Sequence, residues 1–448
     1  MSPTRELAQQ IAKECGNVTA KLRNLDCHTA YGGTSKDRDL RAFLAGDPKI
    51  VVATPGRLND YLSDDYVKDK FSDVRTVVLD EADTMLESGF LVAISDILRR
   101  LPPKSNGWQG MCFSATVQKR TLDVVKRVLK PGYTHLTTIN PDETPTIEAV
   151  TQFSVIIPSV SDTYTTLYAL LNQEHATSAG NFKAIVFGTT AAGVALMHGV
   201  FTQVFGNRIS VFQLQSRLSQ NARTRTTEEF KAASAGVLFA SDVIGRGMDF
   251  PHVSHVFQVG LPSNGEQYVH RVGRTARAGN EGRAVILLTQ RESFFLKVNK
   301  HLPIAPYPQR LDTAATSADI ATAFASVDEI TKSKAYQAWL GFHKVFTKPL
   351  QITNDGLVAL ANEHAEAMGC PEPPMIDKQV VGKMGLRGVH GLNVGTIERT
   401  GGGRRGGGAQ GGGGRVEKDG QAPRRGGGGG GRGRGGRGGR GRGGAGRG

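Results

Sequence analysis

Short apolar, strand-like runs alternate with segments of helical spacing through the first 300 residues. Candidate strands are Ile50 to Ala53, Thr76 to Leu79, Met111 to Phe113, Ala184 to Phe187, Ser210 to Leu214, Val237 to Ala240, His255 to Val259 and Ala284 to Leu288. Between them, Leu7, Ile11 and Cys15 repeat every four residues, and Leu122, Val125 and Leu129 carry the helical period. Alternating β and α units of this length build mostly parallel sheets covered by helices on both faces.

The alternation is interrupted from Lys130 to Val160 by Pro131, Gly132, Pro141, Pro145 and Pro158, and a helical pattern resumes at Tyr164. This reads as a linker between two α/β domains. After about Pro303 a mainly helical stretch holds Tyr336, Trp339, Leu340 and Phe342 and is expected to pack on the second domain. The expected division is a first domain over 1–140, a linker over 141–160, a second domain over 161–305, a helical extension over 306–395 and a disordered tail over 396–448. Residues 401–448 hold 27 Gly and no aromatic residue, so they cannot bury enough apolar surface to fold.

Charge is divided as unevenly as structure. The same 48 residues hold 11 Arg and 1 Lys against Glu417 and Asp419, which is +10 of the chain's formal +14. A nearly neutral body with a basic tail points to a polyanionic partner. The four cysteines have no C-x-x-C spacing and read as free or buried thiols in a reducing compartment. No stretch approaches the roughly 18 to 20 apolar residues that a membrane-spanning helix requires.

The chemistry is concentrated at the ends of the candidate strands. Asp80-Glu81-Ala82-Asp83 follows Thr76-Val77-Val78-Leu79, which puts carboxylates where parallel sheets bind ligands. Two acids there suit a hydrated Mg²⁺ and an attacking water, as in nucleoside-triphosphate hydrolysis. In the second half, Arg274 and Arg277 stand three apart within His270-Arg271-Val272-Gly273-Arg274-Thr275-Ala276-Arg277, and planar cations so placed suit a developing phosphoryl charge. Ser114 and Thr116 read locally as caps of a following helix. No G-x-x-x-x-G-K-[ST] phosphate loop occurs in the 448 residues.

Taken in order, these segments resemble the motifs of a DEAD-box RNA helicase of superfamily 2. Pro3-Thr4-Arg5-Glu6-Leu7-Ala8 resembles motif Ia, Gly32-Gly33 the glycine pair, Thr54-Pro55-Gly56-Arg57 motif Ib, Asp80 to Asp83 motif II and Ser114-Ala115-Thr116 motif III. Ile185-Val186-Phe187 is similar to motif IV, Gln220-Asn221-Ala222-Arg223 to the Q-x-x-R motif, Ser241-Asp242 with Arg246-Gly247-Met248-Asp249 to motif V, and His270 to Arg277 to motif VI. Each is a weak tetrapeptide, but nine in the family's order over residues 3 to 277 make a specific match.

The resemblance implies two RecA-like parallel-sheet domains in tandem, with ATP and Mg²⁺ as cofactors and RNA as partner. It implies Asp80 on the metal, Glu81 on the attacking water, and Asp83 bonded to Ser114 and Thr116 with His270 joining them. Arg274 and Arg277 would be the arginine fingers, and Asp249 would face the ribose. Pro3, Thr4, Arg5, Gly32, Gly33, Thr54, Pro55, Gly56, Arg57, Gln220, Arg223, Ser241, Asp242, Arg246 and Gly247 would line the RNA groove, contacting backbone rather than bases. Pro3 is expected in the first turn of a helix with Ser2 as cap.

Several positions depart from the pattern: Gly188-Thr189-Thr190 in motif IV, Gln215-Ser216 where His-Gly is common, and Ser241 with Ile244-Gly245 in motif V. The adenine-reading Q motif and the phosphate loop would fall before Met1, so the chain reads as starting inside a domain, binding ATP poorly and prone to aggregate. An RNA-binding protein without ATPase, working through the second domain and the tail, is the alternative, and a DNA helicase of the same superfamily is a third. The helical extension and the form of motif VI resemble the mitochondrial splicing-chaperone branch, against a nucleolar or cytoplasmic site. A monomer working with accessory ribonucleoprotein partners, and no membrane, is expected.

Overall fold

The computed structural model describes residues 1–396, apart from 23, 88, 115–124, 138–149, 179, 243, 245–247 and 277–280. Thr116, Arg246, Gly247, Arg277 and the Gly/Arg tail from residue 397 onward therefore lie outside the described residues.

The first lobe runs α1 (Arg5–Thr19), β1 (Cys27–Ala30), α2 (Lys36–Ala45), β2 (Ile50–Ala53), α3 (Pro55–Tyr61), α4 (Asp65–Lys70), β3 (Thr76–Leu79), α5 (Ala82–Glu87), α6 (Leu91–Arg100) and β4 (Gln109–Cys112). Strand β1 pairs in parallel with β2, and β3 with β4. The two pairs are joined at one end by Met1 and Ser2. The Met1 nitrogen donates to the Val78 carbonyl at 2.7 Å, Asp80 N–H to the Met1 carbonyl at 3.0 Å, and Ser2 N–H to the Ala53 carbonyl at 2.9 Å. Beyond Met1 a cavity of about 600 Å³ separates β2 from β3, lined by Ile50, Val51, Phe71, Val77 and Leu101. A single core built on Phe43, Tyr61, Leu79, Ile94, Ile97 and Trp108 holds the helices to these strands.

The second lobe is a seven-stranded, all-parallel sheet. Its strands are β5 (Val150–Ile157), β6 (Lys183–Phe187), β7 (Val211–Leu214), β8 (Gly236–Ala240), β9 (His255–Val259), β10 (Gly282–Thr289) and β11 (Ile304–Pro306), in the order β11-β5-β10-β9-β6-β8-β7. Between them lie α7 (Thr163–Thr177), α8 (Ala191–Phe205), α9 (Gln220–Ala232), α10 (Gly265–Val272) and α11 (Phe294–Val298). Successive strand residues face opposite sides, so Ala184, Val186, Val237 and Phe239 enter one core while Ile185, Phe187, Leu238 and Ala240 enter the other. Burial on both faces explains why these strands read as unbroken apolar runs.

After β11 come α12 (Ala314–Ala325), α13 (Glu329–Lys344), α14 (Asn354–Ala367), the short strands β12 (Ile376–Asp377) and β13 (Val394–Gly395), and α15 (Lys378–Lys383) between them. Phe324, Tyr336, Leu340, Leu357 and Met368 belong to the same core as Val186 and Phe239. The helical extension and the sheet thus share one apolar interior.

Contrary to the expected linker, the segment 141–160 is not all connection, because β5 occupies Val150–Ile157 inside the sheet. Its buried positions include Gln152 and Ser154, which hide the strand from hydropathy. Gln152 is satisfied by accepting from the Tyr268 hydroxyl at 3.0 Å and donating to the Val150 carbonyl at 3.2 Å.

Candidate functional site

Parallel strands place their carboxyl ends together, and the loops that leave those ends are where ligands bind in such sheets. In the first lobe these loops are Gly32-Gly33-Thr34 after β1, Thr54 to Arg57 after β2, Asp80-Glu81 after β3 and Phe113-Ser114 after β4. In the second they are Gly188-Thr189-Thr190 after β6, Gln215-Ser216 after β7, Ser241-Asp242 after β8 and Gly260 after β9.

The acidic turn is the most constrained of them. Glu81 sits at φ +53°, a left-handed backbone that non-glycine residues adopt at a cost of order 1–3 kcal/mol. Ala82 N–H donates to the Phe113 carbonyl and Phe113 N–H to the Leu79 carbonyl, so the ends of β3 and β4 are stitched together around that turn. Asp83 is buried and accepts from Thr84 N–H at 2.8 Å. Burial raises the pKa of Asp80; the Met1 amine and the Glu81 N–H oppose this, and Asp83 adds to it. A hard oxygen donor short of water fits a divalent cation. Among the described residues no group of three or more His, Cys, Asp or Glu is set out as a cation cage. Asp80 is the residue at this turn that could hold a hydrated divalent cation.

The expected RNA-contacting residues of the first lobe surround Arg5. Thr4 caps α1 by accepting from Leu7 N–H at 3.3 Å, so the helix opens later than expected and Ser2 is not its cap. Ser2 instead donates its hydroxyl to the Thr4 carbonyl. The glycine pair has a steric reason. A Cβ on Gly32 would lie 2.9 Å from the Arg5 guanidinium, and Gly33, at φ +92°, would set one 2.7 Å from Arg5 and 3.2 Å from Gln220. Arg57 is buried, bonded to the Thr34 carbonyl at 3.1 Å and paired with Asp39 at 3.4 Å, which braces the Gly33-Thr34 turn. Thr54 precedes α3 with Pro55 in its first turn, leaving Gly56 exposed at the helix N-terminus.

Gln220 and Arg223 lie on α9 and reach across to α1. Arg223 pairs with Glu6 at 2.5 Å with both side chains buried, and Gln220 donates to Glu6 at 3.1 Å. Arg5 donates to Gln220 at 3.4 Å, Gln9 to the Thr224 hydroxyl at 3.3 Å, and Asp249 N–H to Gln10 at 3.2 Å. Helix α1 is thus clamped by polar groups of the second lobe. Nothing local in the sequence marks Glu6 as Arg223's partner, because 217 residues separate them.

Farther into the second lobe, Asp242 takes two hydrogen bonds from Arg271, at 2.8 and 3.0 Å, and Arg271 also stacks over Phe187 at 5.3 Å. Arg274 is buried, donating to the Met248 carbonyl at 2.6 Å and to the His270 carbonyl at 3.1 Å. Ser241 is buried at the end of β8, its N–H bonded to the Leu214 carbonyl. Sequence reasoning gives Arg271 no role of its own, although it adjoins His270. A buried guanidinium in a bidentate pair is visible only once α10 packs against the β8 loop.

A family model described as DEAD/DEAH box helicase matches residues 1–125, and one described as helicase conserved C-terminal domain matches residues 163–279. Over 399 residues the chain is 57% identical to a Phaeosphaeria nodorum protein named ATP-dependent RNA helicase MSS116, mitochondrial, covering 88% of this chain and 72% of that protein. It is 58% identical over 404 residues to the Aspergillus oryzae protein of the same name, covering 88% of this chain and 63% of that one. The fold is similar to that of Mss116p bound to ssRNA and AMP-PNP, with a TM-score of 0.75 at 24% identity, over 88% of this chain and 80% of that one.

Proposed function

The chain belongs to the DEAD/DEAH box helicase family, and on that premise we propose that it is an ATP-dependent RNA helicase that opens short RNA duplexes in the mitochondrion. The observation that carries the reading is the strained turn at Asp80-Glu81, with two acids held at the carboxyl end of a parallel strand. The fungal relatives' names support both the reaction and the location.

Asp80 would hold Mg²⁺, which supplies charge neutralisation between phosphate oxygens. Glu81 orients the attacking water and accepts its proton, and the left-handed backbone at this residue sets where its carboxylate can reach. Asp83 and Ser114 would hydrogen-bond to each other across the ends of β3 and β4, and by the family resemblance Thr116, outside the described residues, would join them. His270, Arg274 and Arg277 come from the second lobe, so the phosphoryl charge is met only when both lobes contribute. Asp249 would contact the ribose. Around Arg5 and the glycine pair, and at the N-terminus of α3, backbone amides and guanidinium groups would hold RNA phosphates, which makes binding insensitive to base sequence. Ser241, Asp242, Arg246 and Gly247 would extend that track across the second lobe.

The test is strand separation of a short RNA duplex by the purified chain at millimolar ATP, a concentration set high because the 448 residues hold no phosphate loop, and ATP-dependent release of a labelled strand supports the reading. RNA binding with neither strand release nor phosphate release at millimolar ATP would replace this reading by an RNA-binding protein without ATPase. The tail enters as a tether that raises the local RNA concentration. Deleting residues 401–448 should lower RNA affinity and flatten its salt dependence, by roughly 0.7 in log–log slope for each RNA phosphate the tail neutralises. An unchanged slope would remove the tail from RNA binding.

A further inference from the structure

Cys15 lies near the end of α1 and Cys27 opens β1, and the helix packs on the strand. That packing brings two thiols together: the Cys27 S–H donates a hydrogen bond to the Cys15 sulfur. Neither residue takes part in the ATP chemistry or the RNA contacts proposed above. Both are partly exposed, and Lys13, Glu14, Gly16 and Asp26 around them are exposed, so a small solute reaches the pair from water. The other two cysteines differ. Cys112 packs on the core of the first lobe, and Cys370 is buried in a core of the second.

The segment between the paired cysteines is loosely held. No described residue from 16 to 26 is buried, and Val18 and Leu22 are 73% and 52% exposed. The hydrogen bonds at its start are local: the Thr19 hydroxyl donates to the Cys15 carbonyl at 2.9 Å, and Leu22 N–H to the Thr19 carbonyl at 2.8 Å. A covalent link from Cys15 to Cys27 would close this segment into a ring and take freedom from the unfolded chain.

Adjacent thiols that meet water can form a disulfide and reopen it, whereas a thiol buried alone in a core is inert. We propose that Cys15 and Cys27 are a reversible redox pair, which a glutathione-type disulfide oxidises to an intramolecular bond that fastens the end of α1 to β1. In a reducing compartment such a bond is transient and serves sensing rather than architecture.

The order of attack follows from which sulfur holds its proton. Burial, and after it the hydrogen bond and charge of Cys15, pushes the Cys27 thiol up to about 12, so Cys27 stays protonated and Cys15 attacks first. The Cys15 thiolate bonds to one sulfur of the glutathione disulfide, and the other half leaves as a thiol with the proton that Cys15 gave up. Cys27 then attacks the Cys15 sulfur of this mixed disulfide, and the second glutathione leaves with the Cys27 proton. The protein has lost two hydrogen atoms with their electrons, and one disulfide has become two thiols.

The full chain, freed of reductant, is equilibrated in buffers of graded glutathione to glutathione-disulfide ratio, quenched with an alkylating agent and digested for mass spectrometry. Cys15 and Cys27 should lose alkylation together, as one cross-linked peptide pair, while Cys112 and Cys370 stay alkylated. The oxidised chain should unfold at a higher temperature than the reduced one, and dithiothreitol should reverse the rise. Cys27→Ser should arrest Cys15 as its mixed disulfide with glutathione, whereas Cys15→Ser should leave Cys27 alkylated; unfolding in reductant confirms that both variants are folded. Independent loss of alkylation at the two positions, no cross-linked peptide in the most oxidising buffer, or a cross-link between two chains would overturn the proposal.

Discussion

Glu81→Gln is expected to slow RNA-stimulated phosphate release by about 10²- to 10⁴-fold relative to the unaltered chain, the range for removal of a positioned general base. The amide keeps the shape of the side chain and the turn that presents it. RNA affinity should therefore stay within about twofold, because no phosphate-binding group is altered. The comparison is made at saturating RNA and Mg²⁺-ATP, with phosphate release and RNA binding read on the same samples. Equal rates in the two chains would remove Glu81 from the reaction. A fall in RNA binding that matches the fall in rate would point to damaged structure. Since burial raises the pKa of Asp80, protons compete with the cation at that carboxylate, and the Mg²⁺ concentration needed should rise as pH falls.

The second large effect is expected at the clamp between the lobes. Glu6→Ala leaves Arg223 buried without its carboxylate, and Arg223→Ala does the converse, each at a cost of about 3–5 kcal/mol. The cost should appear as separation of the lobes, because the pair joins α1 to α9 and is not part of either lobe's apolar core. A fluorophore pair, one on each lobe, should report lower transfer efficiency in both single variants, together with a higher RNA concentration for half-maximal ATP turnover. Glu6→Leu combined with Arg223→Met replaces the ions by apolar groups of similar volume and should recover much of the cohesion. Single variants with unchanged transfer efficiency and unchanged RNA dependence would show that the pair does not hold the lobes together.

Strands are legible in the sequence where both faces are buried. Ala184 to Phe187 and Val237 to Ala240 are apolar at every position because each residue enters one core or the other. Strand β5 is not legible, since Gln152 and Ser154 occupy buried positions that only tertiary hydrogen bonds satisfy. Strand β1 escapes for a similar reason, because Cys27-His28-Thr29-Ala30 is only partly covered and carries no apolar run. Asp80 and Glu81 can be placed because a contiguous acidic segment directly follows a strand, and both features are local.

The guanidinium groups are harder to assign. Arg57 is expected on RNA, yet it is buried against Asp39 and Thr34 beneath the glycine turn. The order of motifs places Arg223 on RNA as well, whereas its buried partner is Glu6. Charge type and spacing specify that a cation is present, but a cation exposed to a ligand and one buried in an ion pair use the same residue. From its sequence alone the protein's class was determined: alternating β and α segments dictate parallel sheets, and the order of short motifs dictates the family, because both depend on spacing along the chain. Which cations face solvent, which acids meet them, and that α13 and α14 roof a cavity on the second sheet were decided only by the tertiary structure, because such pairings join residues up to some 217 positions apart and depend on how the lobes pack.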